Sequence, residues 1–185
     1  MDWRAKFDVG LTYDAFLERY ARPGYVSTWQ ESFGRIELTP DQRSLLAGFV
    51  RQMNVLCLAG AWCGDCSFQC PIYQHFALAT PAIRLRMLDR DEHDDAQQQL
   101  TINGGRRVPV VVFFSEDWFE AARFGERTLA QYRQLAGELS GARQPSTPQT
   151  RLNLLRAVTQ DWLNEFERVQ WMLRLSPRLR QKHGD

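Results

Sequence analysis

The chain has 185 residues, and 23 Lys and Arg residues are balanced by 22 Asp and Glu residues, so the formal net charge is +1. This balance gives no electrostatic reason to expect binding to nucleic acid or to a membrane surface. Residues 1–6 lead into no apolar run, and no apolar stretch is long enough to span a bilayer, so we expect a cytoplasmic protein without a secretory signal. In a reducing cytoplasm, the four cysteines are expected to be catalytic or metal-binding rather than structural disulfides.

The first part of the chain predicts two helices. Aromatic and apolar residues at helical spacing predict a short helix over 13–20, which ends before Arg22-Pro23-Gly24. A second helix is predicted to follow Thr39, which can cap it, with Pro40 in the first turn and Gln42 completing a capping box. The expected buried face of this second helix consists of Leu45, Leu46, Phe49 and Val50.

The centre of the chain carries four strand-like segments. These apolar or alternating segments lie at 53–60, 83–87, 108–114 and 119–124. The third is nearly all apolar, which predicts a central position in the sheet, and it lies close enough to the fourth to form a hairpin. Helical segments lie between or after the strands, at 67–78, 94–100 and 129–139. This order predicts an α/β fold with a central mixed sheet flanked by helices.

The C-terminal part predicts a linker and a long helix. Ser, Gly and Pro residues at 140–150 predict a break, and apolar residues within 155–173 trace one face of a helix. The aromatic residues of that face, expected to lie in the core or to cover it, are Trp162, Phe166 and Trp171. We divide the chain into an N-terminal helical extension (1–38), a central domain (39–140), a linker (141–150) and a C-terminal helical extension (151–185) that packs on the domain.

Two cysteines separated by two residues are the strongest candidates for a function. Cys63 and Cys66 lie where the first strand gives way to a helix. The unpaired N–H groups at a helix N-terminus favour negative charge, so a cysteine there is stabilised as the thiolate that attacks disulfides. We therefore expect Cys63 to be the nucleophile and Cys66 to be the resolving thiol of a dithiol–disulfide pair.

The residues around the two cysteines have predicted effects of their own. Trp62 is expected to flank the exposed sulfur, and Gly64 leaves room for a partner chain to approach. Asp65 places a negative charge between the thiols, which is expected to oppose the thiolate and raise its pKa. This charge predicts a more reducing pair than the same motif with a neutral residue.

Three motifs together resemble the thioredoxin family: Trp62-Cys63-Gly64-Asp65-Cys66, Pro71 in the following helix, and Val108-Pro109 at the start of the third predicted strand. The resemblance covers roughly residues 45–140. It implies a thioredoxin-like fold with extra N- and C-terminal helices, and a cis-proline at Pro109, beside the dithiol, that offers backbone to the substrate. Gly125 resembles the glycine that lets partner chains pass. The Gly-Asp pair is also similar to that of small bacterial thioredoxin-like proteins.

Two positions depart from the family's pattern. Cys57 stands where the family has a buried aspartate that takes part in proton transfer, and we expect it to pack as a small apolar residue. Asp65 replaces the family's proline between the thiols. The resemblance places Arg106 and Arg107 near Cys63, where they are expected either to lower its pKa, to hold an acidic small thiol such as glutathione, or to remain solvated loop charges.

The resulting expectation is a thiol–disulfide oxidoreductase that reduces or exchanges disulfides without a bound cofactor or metal. Its expected partners are a disulfide-containing protein or small thiol as substrate, and a reductase or small thiol as electron donor.

Two alternatives stay open at this point. One is a thioredoxin-like binding module whose flanking helices hold a partner, with catalysis weak or lost. The other is a metal or redox sensor that uses Cys63, Cys66 and Cys70, with His75 as a further ligand, because Cys66 and Cys70 are one helical turn apart. Cys70 is also a candidate regulatory thiol that traps Cys66 in a non-catalytic disulfide, or it is simply a buried small side chain.

Overall fold

The computed structural model describes residues 1–141 and 146–185. One sheet contains four strands, namely β1 (Met53–Ala59), β2 (Ile83–Asp89), β3 (Val110–Ser115) and β4 (Glu120–Gly125). The strand order is β2-β1-β3-β4, with β2 parallel to β1, and β3 antiparallel to both β1 and β4. The predicted mixed sheet and the predicted hairpin are both confirmed.

The two central strands are the most apolar segments of the chain. Every residue of β1 and β3 is buried, as expected for strands that are covered on both faces. Cys57 lies in the middle of β1, where it pairs with Met87 of β2 on one side and Val111 of β3 on the other. Its side chain is completely buried. The prediction that Cys57 packs in the core is therefore confirmed.

Helices cover the sheet. The described residues form α1 (Trp3–Val9), α2 (Tyr13–Tyr20), α3 (Pro23–Arg35), α4 (Pro40–Ala47), α5 (Gly64–Ala79), α6 (Asp94–Gln99), α7 (Leu129–Leu139), α8 (Pro148–Leu175) and α9 (Pro177–His183). α1 and α2 pack on β2, whereas α3, α4 and α8 pack on α5, the helix that follows the two cysteines. Within residues 1–141 and 146–185, no helix has the length and apolar character needed to cross a membrane.

The N-terminal extension contains more helix than its local pattern predicts. Pro23 suggests a break, but it occupies the first turn of α3, where its missing N–H group is not needed. Trp29 of α3 is completely buried, and its ring centroid lies 5.8 Å from that of Tyr13 and 5.9 Å from that of Phe16. This packing of aromatic rings between α2 and α3 stabilises a helix that periodicity alone did not indicate.

The predicted start of α4 is correct, but its predicted end is not. The Thr39 side chain accepts a hydrogen bond from the Gln42 N–H (3.2 Å), and the Gln42 side chain accepts one from the Thr39 N–H (3.0 Å), which forms the capping box. Because α4 ends at Ala47, Val50 lies beyond the helix and is 59% exposed. Its assignment to the buried face was wrong.

The C-terminal helix α8 begins at Pro148, inside the predicted linker, while linker residues 142–145 lie outside the described residues. Trp162 is completely buried, and its indole N–H donates a hydrogen bond to the Gln69 side chain of α5 at 2.8 Å. Trp171 is 54% exposed, so its predicted burial was wrong. α8 thus covers α5 with the part of its face that contains Trp162.

Candidate active site

The two cysteines lie in the turn between β1 and α5. Cys63 is the N-cap residue of α5, and its backbone N–H donates to the Gly60 carbonyl oxygen at 3.0 Å. The Cys63 side chain is partly exposed, whereas that of Cys66 is completely buried. The Gly60 N–H donates a hydrogen bond to the Cys66 sulfur at 3.4 Å. This arrangement gives one sulfur access to solvent and keeps the other within the protein.

The two thiols are electrostatically coupled. Burial opposes ionisation of Cys66, but hydrogen bonds from Cys63, Cys70 and the Gly60 N–H outweigh burial and lower its pKa to about 5. The hydrogen bond to Cys66, together with burial, raises the pKa of Cys63. The pair therefore loses one proton readily and holds the other, which the two sulfurs share. An external disulfide can reach only Cys63, since Cys66 has no exposed surface.

The charge of Asp65 is neutralised by a residue that the sequence did not indicate. Arg127 binds the Asp65 carboxylate at 2.6 Å, and both side chains are 26% exposed. Asp65 still acts to raise the pKa of Cys66, but it is the weakest of the main influences on that thiol. The predicted direction of the Asp65 effect is therefore seen at Cys66, and Arg127 offsets part of the charge. Arg127 follows β4 by two residues, and no motif links it to the cysteines.

Arg107 lies in the same group of charges. Its guanidinium donates to both carboxylate oxygens of Glu126, at 3.0 and 3.2 Å, and Glu126 is almost completely buried. Glu126 also binds Arg127, so two cations and two anions form one row that ends at Asp65. Arg106 binds Asp94 instead, at 3.0 Å. The structure places Arg107 on Glu126, and its effect on the pKa of Cys63 stays a prediction.

The backbone at Val108 and Pro109 adjoins the dithiol. The Cys63 thiol donates to the Val108 carbonyl oxygen at 3.6 Å, and the Val108–Pro109 peptide bond is cis. Gly125 ends β4 opposite Val110. A Cβ atom at Gly125 would lie 2.6 Å from the Pro109 carbonyl oxygen, whereas one at Gly64 would have no neighbour within 4 Å. The lack of a side chain is thus needed for close packing at Gly125, and Gly64 faces open space.

The loop that contains Trp62 is held from two sides. Its ring is 47% exposed, and its indole N–H donates to Asp91 at 3.0 Å. The carbonyl oxygen of the preceding residue, Ala61, accepts a hydrogen bond from the indole of Trp29 at 2.9 Å. The N-terminal extension therefore holds the loop that carries the dithiol. This connection could not be read from the sequence, where the two segments lie far apart.

An open cavity of about 440 Å³ adjoins Trp62. Residues of the N-terminal extension and of the loop after β2 line it together with the active-site loop. They are Tyr20, Arg22, Tyr25, Ala61, Trp62, Asp89, Asp91 and Glu92. The N-terminal extension thus forms one wall of the space next to Trp62.

The remaining cysteines lie behind the dithiol. Cys57 and Cys70 are completely buried, and their sulfur atoms are 3.8 Å apart. His75 does not join them, because its Nε2 lies 2.9 Å from the Phe33 carbonyl oxygen and its ring stacks on Phe33. In residues 1–141 and 146–185, no group of three His, Cys, Asp or Glu side chains is arranged to hold a metal ion.

Comparisons with known proteins agree with this geometry. The family model described as Thioredoxin matches residues 10–137. A solved structure of a Pseudomonas aeruginosa protein of unknown function is 19% identical with a TM-score of 0.73, and the match covers 90% of this chain and 98% of that chain. A structure of an HIV epitope scaffold is 18% identical with a TM-score of 0.67, over 89% of this chain and 98% of that chain.

Thioredoxins match a smaller part of the chain. Mitochondrial thioredoxin 3 from Saccharomyces cerevisiae is 23% identical with a TM-score of 0.35, over 51% of this chain and 86% of that chain. No curated protein sequence matches the chain. The family match extends over well over half of the sequence and includes Cys63, Cys66 and Pro109. The chain therefore belongs to the thioredoxin family.

Proposed function

We propose that this protein is a thiol–disulfide oxidoreductase that reduces or exchanges disulfides through Cys63 and Cys66. The observation that carries the proposal is the asymmetry of the pair. Cys63 is partly exposed at the start of α5, next to the backbone of Val108, and Cys66 is buried behind it. One sulfur is placed to meet a substrate, and the other is placed to release it.

The reaction begins with attack by the Cys63 thiolate on one sulfur of a substrate disulfide. A bond forms between Cys63 and that sulfur, and the other substrate sulfur leaves as a thiolate that takes up a proton. Cys63 reaches its thiolate form by passing its proton to the Cys66 thiolate, to which it donates a hydrogen bond.

In the second step, the Cys66 thiolate attacks the Cys63 sulfur. The Cys63–Cys66 disulfide forms and the second substrate sulfur leaves, so the dithiol has lost two electrons and the substrate has gained two. The substrate chain lies along the backbone of Val108 and Pro109, with Trp62 beside it and Gly64 leaving space, while Gly125 lets its own strand pack closely on Pro109. A reductase or a small thiol then restores the dithiol, and no bound cofactor is required.

Steady-state reduction of a protein disulfide tests this proposal. We expect wild-type protein to accelerate the reduction of insulin by dithiothreitol, and the Cys63→Ser variant to show no acceleration. The Cys66→Ser variant is expected to be stopped at the mixed disulfide. Equal rates for wild type and the Cys63→Ser variant, with every reductant, would leave a binding module as the better description.

The reduction potential of the pair indicates the direction of the reaction. A value of about −270 mV is typical of thioredoxins that reduce their substrates, whereas about −120 mV is typical of an oxidant. We expect a lower potential than for the same motif with a neutral residue in place of Asp65, since Asp65 opposes the thiolate of Cys66 even though Arg127 compensates its charge.

A further inference from the structure

A second pair of thiols lies behind the dithiol, and the proposed reaction does not use it. The sulfur atoms of Cys57 and Cys70 are 3.8 Å apart in the core. Cys70 also interacts with Cys66, which lies one helical turn earlier on α5. The four cysteines therefore form a continuous row from the surface to the sheet, in the order Cys63, Cys66, Cys70 and Cys57.

We propose that Cys57 and Cys70 are a second redox-active pair, which takes over the disulfide formed at Cys63 and Cys66. The inference rests on the proposed function, because both inner thiols are completely buried. No external oxidant reaches them, and the adjoining Cys66 sulfur is their route to oxidation. The protein then stores oxidising equivalents in its core and presents a reduced dithiol to a second substrate.

The transfer consists of two thiol–disulfide exchanges. The Cys70 thiolate attacks the Cys66 sulfur, so that the Cys66–Cys70 bond forms and Cys63 leaves with the proton that Cys70 lost. The Cys57 thiolate then attacks the Cys70 sulfur, the Cys57–Cys70 bond forms, and Cys66 leaves with the proton of Cys57. Neither step changes the number of electrons in the protein. A second substrate disulfide then oxidises Cys63 and Cys66, and four thiols have reduced two substrate disulfides.

The geometry favours Cys57 and Cys70 as the end point. Residues four apart on a helix have Cβ atoms about 5–6 Å apart, which exceeds the ~3.5–4.5 Å of a relaxed disulfide. A Cys66–Cys70 bond is therefore an intermediate. The Cys57 and Cys70 sulfurs lie on different elements, and side-chain rotation can close their 3.8 Å separation to the bond length of about 2 Å.

Two further observations concern the rate of the inward transfer. Burial and contact with Cys57 and Cys66 raise the pKa of Cys70, so its thiolate is scarce and the transfer is slower than the first oxidation. The Tyr73 hydroxyl is buried without a hydrogen-bond partner in the described residues, and it interacts electrostatically with Cys70, Cys57 and Cys66. Burial and these cysteines raise the pKa of Tyr73, so its hydroxyl stays protonated during the exchange.

Counting the product thiols tests the inference. Fully reduced protein, freed of reductant and kept without oxygen, is mixed with excess glutathione disulfide, and the glutathione released per chain is followed with time. We expect four glutathione thiols in a fast and a slow phase. After denaturation, alkylation with N-ethylmaleimide is expected to find no free cysteine, and peptide mapping to find Cys57 linked to Cys70.

The Cys57→Val and Cys70→Ala variants are the matched controls, and each is expected to release two glutathione thiols in the fast phase alone. Each substitution removes one thiol of the Cys57–Cys70 pair, so the control is complete if at least one of the two variants folds. Release of two thiols by wild type, with Cys57 and Cys70 both alkylated, would overturn the inner pair while the proposed function stands. Release of none would overturn the proposed function itself.

Discussion

Two glycines near the dithiol provide a matched test of how the site is packed. The same change, Gly→Ala, is made at Gly125 and at Gly64. At Gly125 the new Cβ would lie 2.6 Å from the Pro109 carbonyl oxygen and 3.1 Å from the Val110 Cα, and φ there is 156°. Both neighbours are backbone atoms, so they cannot move aside as a flexible side chain would. At Gly64 the Cβ meets nothing within 4 Å.

The expected effects on stability have opposite signs. For Gly125→Ala, an unfavourable backbone conformation costs about 1–3 kcal/mol and the steric overlap adds about 1–3 kcal/mol, so we expect a loss of roughly 2–6 kcal/mol. For Gly64→Ala, reduced freedom of the unfolded chain stabilises the protein by about 0.4–1 kcal/mol. Urea unfolding followed by tryptophan fluorescence measures both values, with the m-value unchanged if only stability differs.

The two glycine variants also distinguish an effect on packing from an effect on substrate access. Gly125→Ala is expected to lower kcat/KM for both a protein disulfide and glutathione disulfide, because it displaces the backbone of Pro109. Gly64→Ala is expected to slow only the protein disulfide, which needs the open space at that position. A loss of stability below about 1 kcal/mol for Gly125→Ala, or equal urea midpoints for the two variants, would refute this reasoning.

Three further predictions concern the support and ionisation of the dithiol. Trp29→Phe removes the hydrogen bond to the Ala61 carbonyl oxygen, so unfolding free energy is expected to fall by about 1–3 kcal/mol, measured in urea, and disulfide reduction to slow. The rate of Cys63 alkylation by iodoacetamide is expected to rise as pH increases through about 5, because the pair loses its first proton there. Arg127→Gln leaves Asp65 without its cation, so the midpoint of the alkylation pH profile is expected to rise by about half a pH unit or more.

Controls exist within the chain for these variants. Trp171→Phe removes an exposed indole whose partner is Glu167, and we expect it to change stability by less than about 0.5 kcal/mol. Arg106→Gln removes a cation that binds Asp94, and we expect the alkylation midpoint to stay where it is. An alkylation midpoint near the ordinary thiol value of about 8.5 in wild type would contradict the coupling of Cys63 and Cys66.

Local patterns were sufficient to predict the sheet and the position of the dithiol. The continuous apolar character of β1 and β3 follows from burial on both faces, and the Thr39 capping box is a short-range arrangement. The position of Cys63 at the start of α5 was predictable because only a few residues separate the end of β1 from the helix. Features of this kind depend on residues that are close together in the chain, so local sequence patterns predict them.

The contacts that tune the site depend on residues far apart in the chain. Arg127 reaches Asp65 across 62 positions, and Trp29 reaches Ala61 across 32. Nothing in the local pattern of either segment indicates these pairs. The proximity of Cys57 to Cys70 has the same origin, since it arises from the packing of α5 on β1. Long-range packing of this kind sets the electrostatics of the dithiol.

Exposure was the least predictable property of the apolar residues. The pattern that predicts α7 is correct as a helix, but its apolar residues lie at the surface. Their exposed fractions are 55% for Leu129, 44% for Tyr132, 38% for Leu135 and 91% for Leu139. Periodicity shows that residues share a face, whereas the packing of other helices decides whether that face is covered.

Trapping of the mixed disulfide tests the central claim most directly. The Cys66→Ser and Cys63→Ser variants are each incubated with glutathione disulfide, and their intact masses are measured under denaturing conditions without reductant. We expect one glutathione bound to Cys63 in the Cys66→Ser variant and none on the Cys63→Ser variant. Glutathione bound equally to both variants, or to neither, would contradict the assignment of Cys63 as the attacking thiol and Cys66 as the resolving thiol.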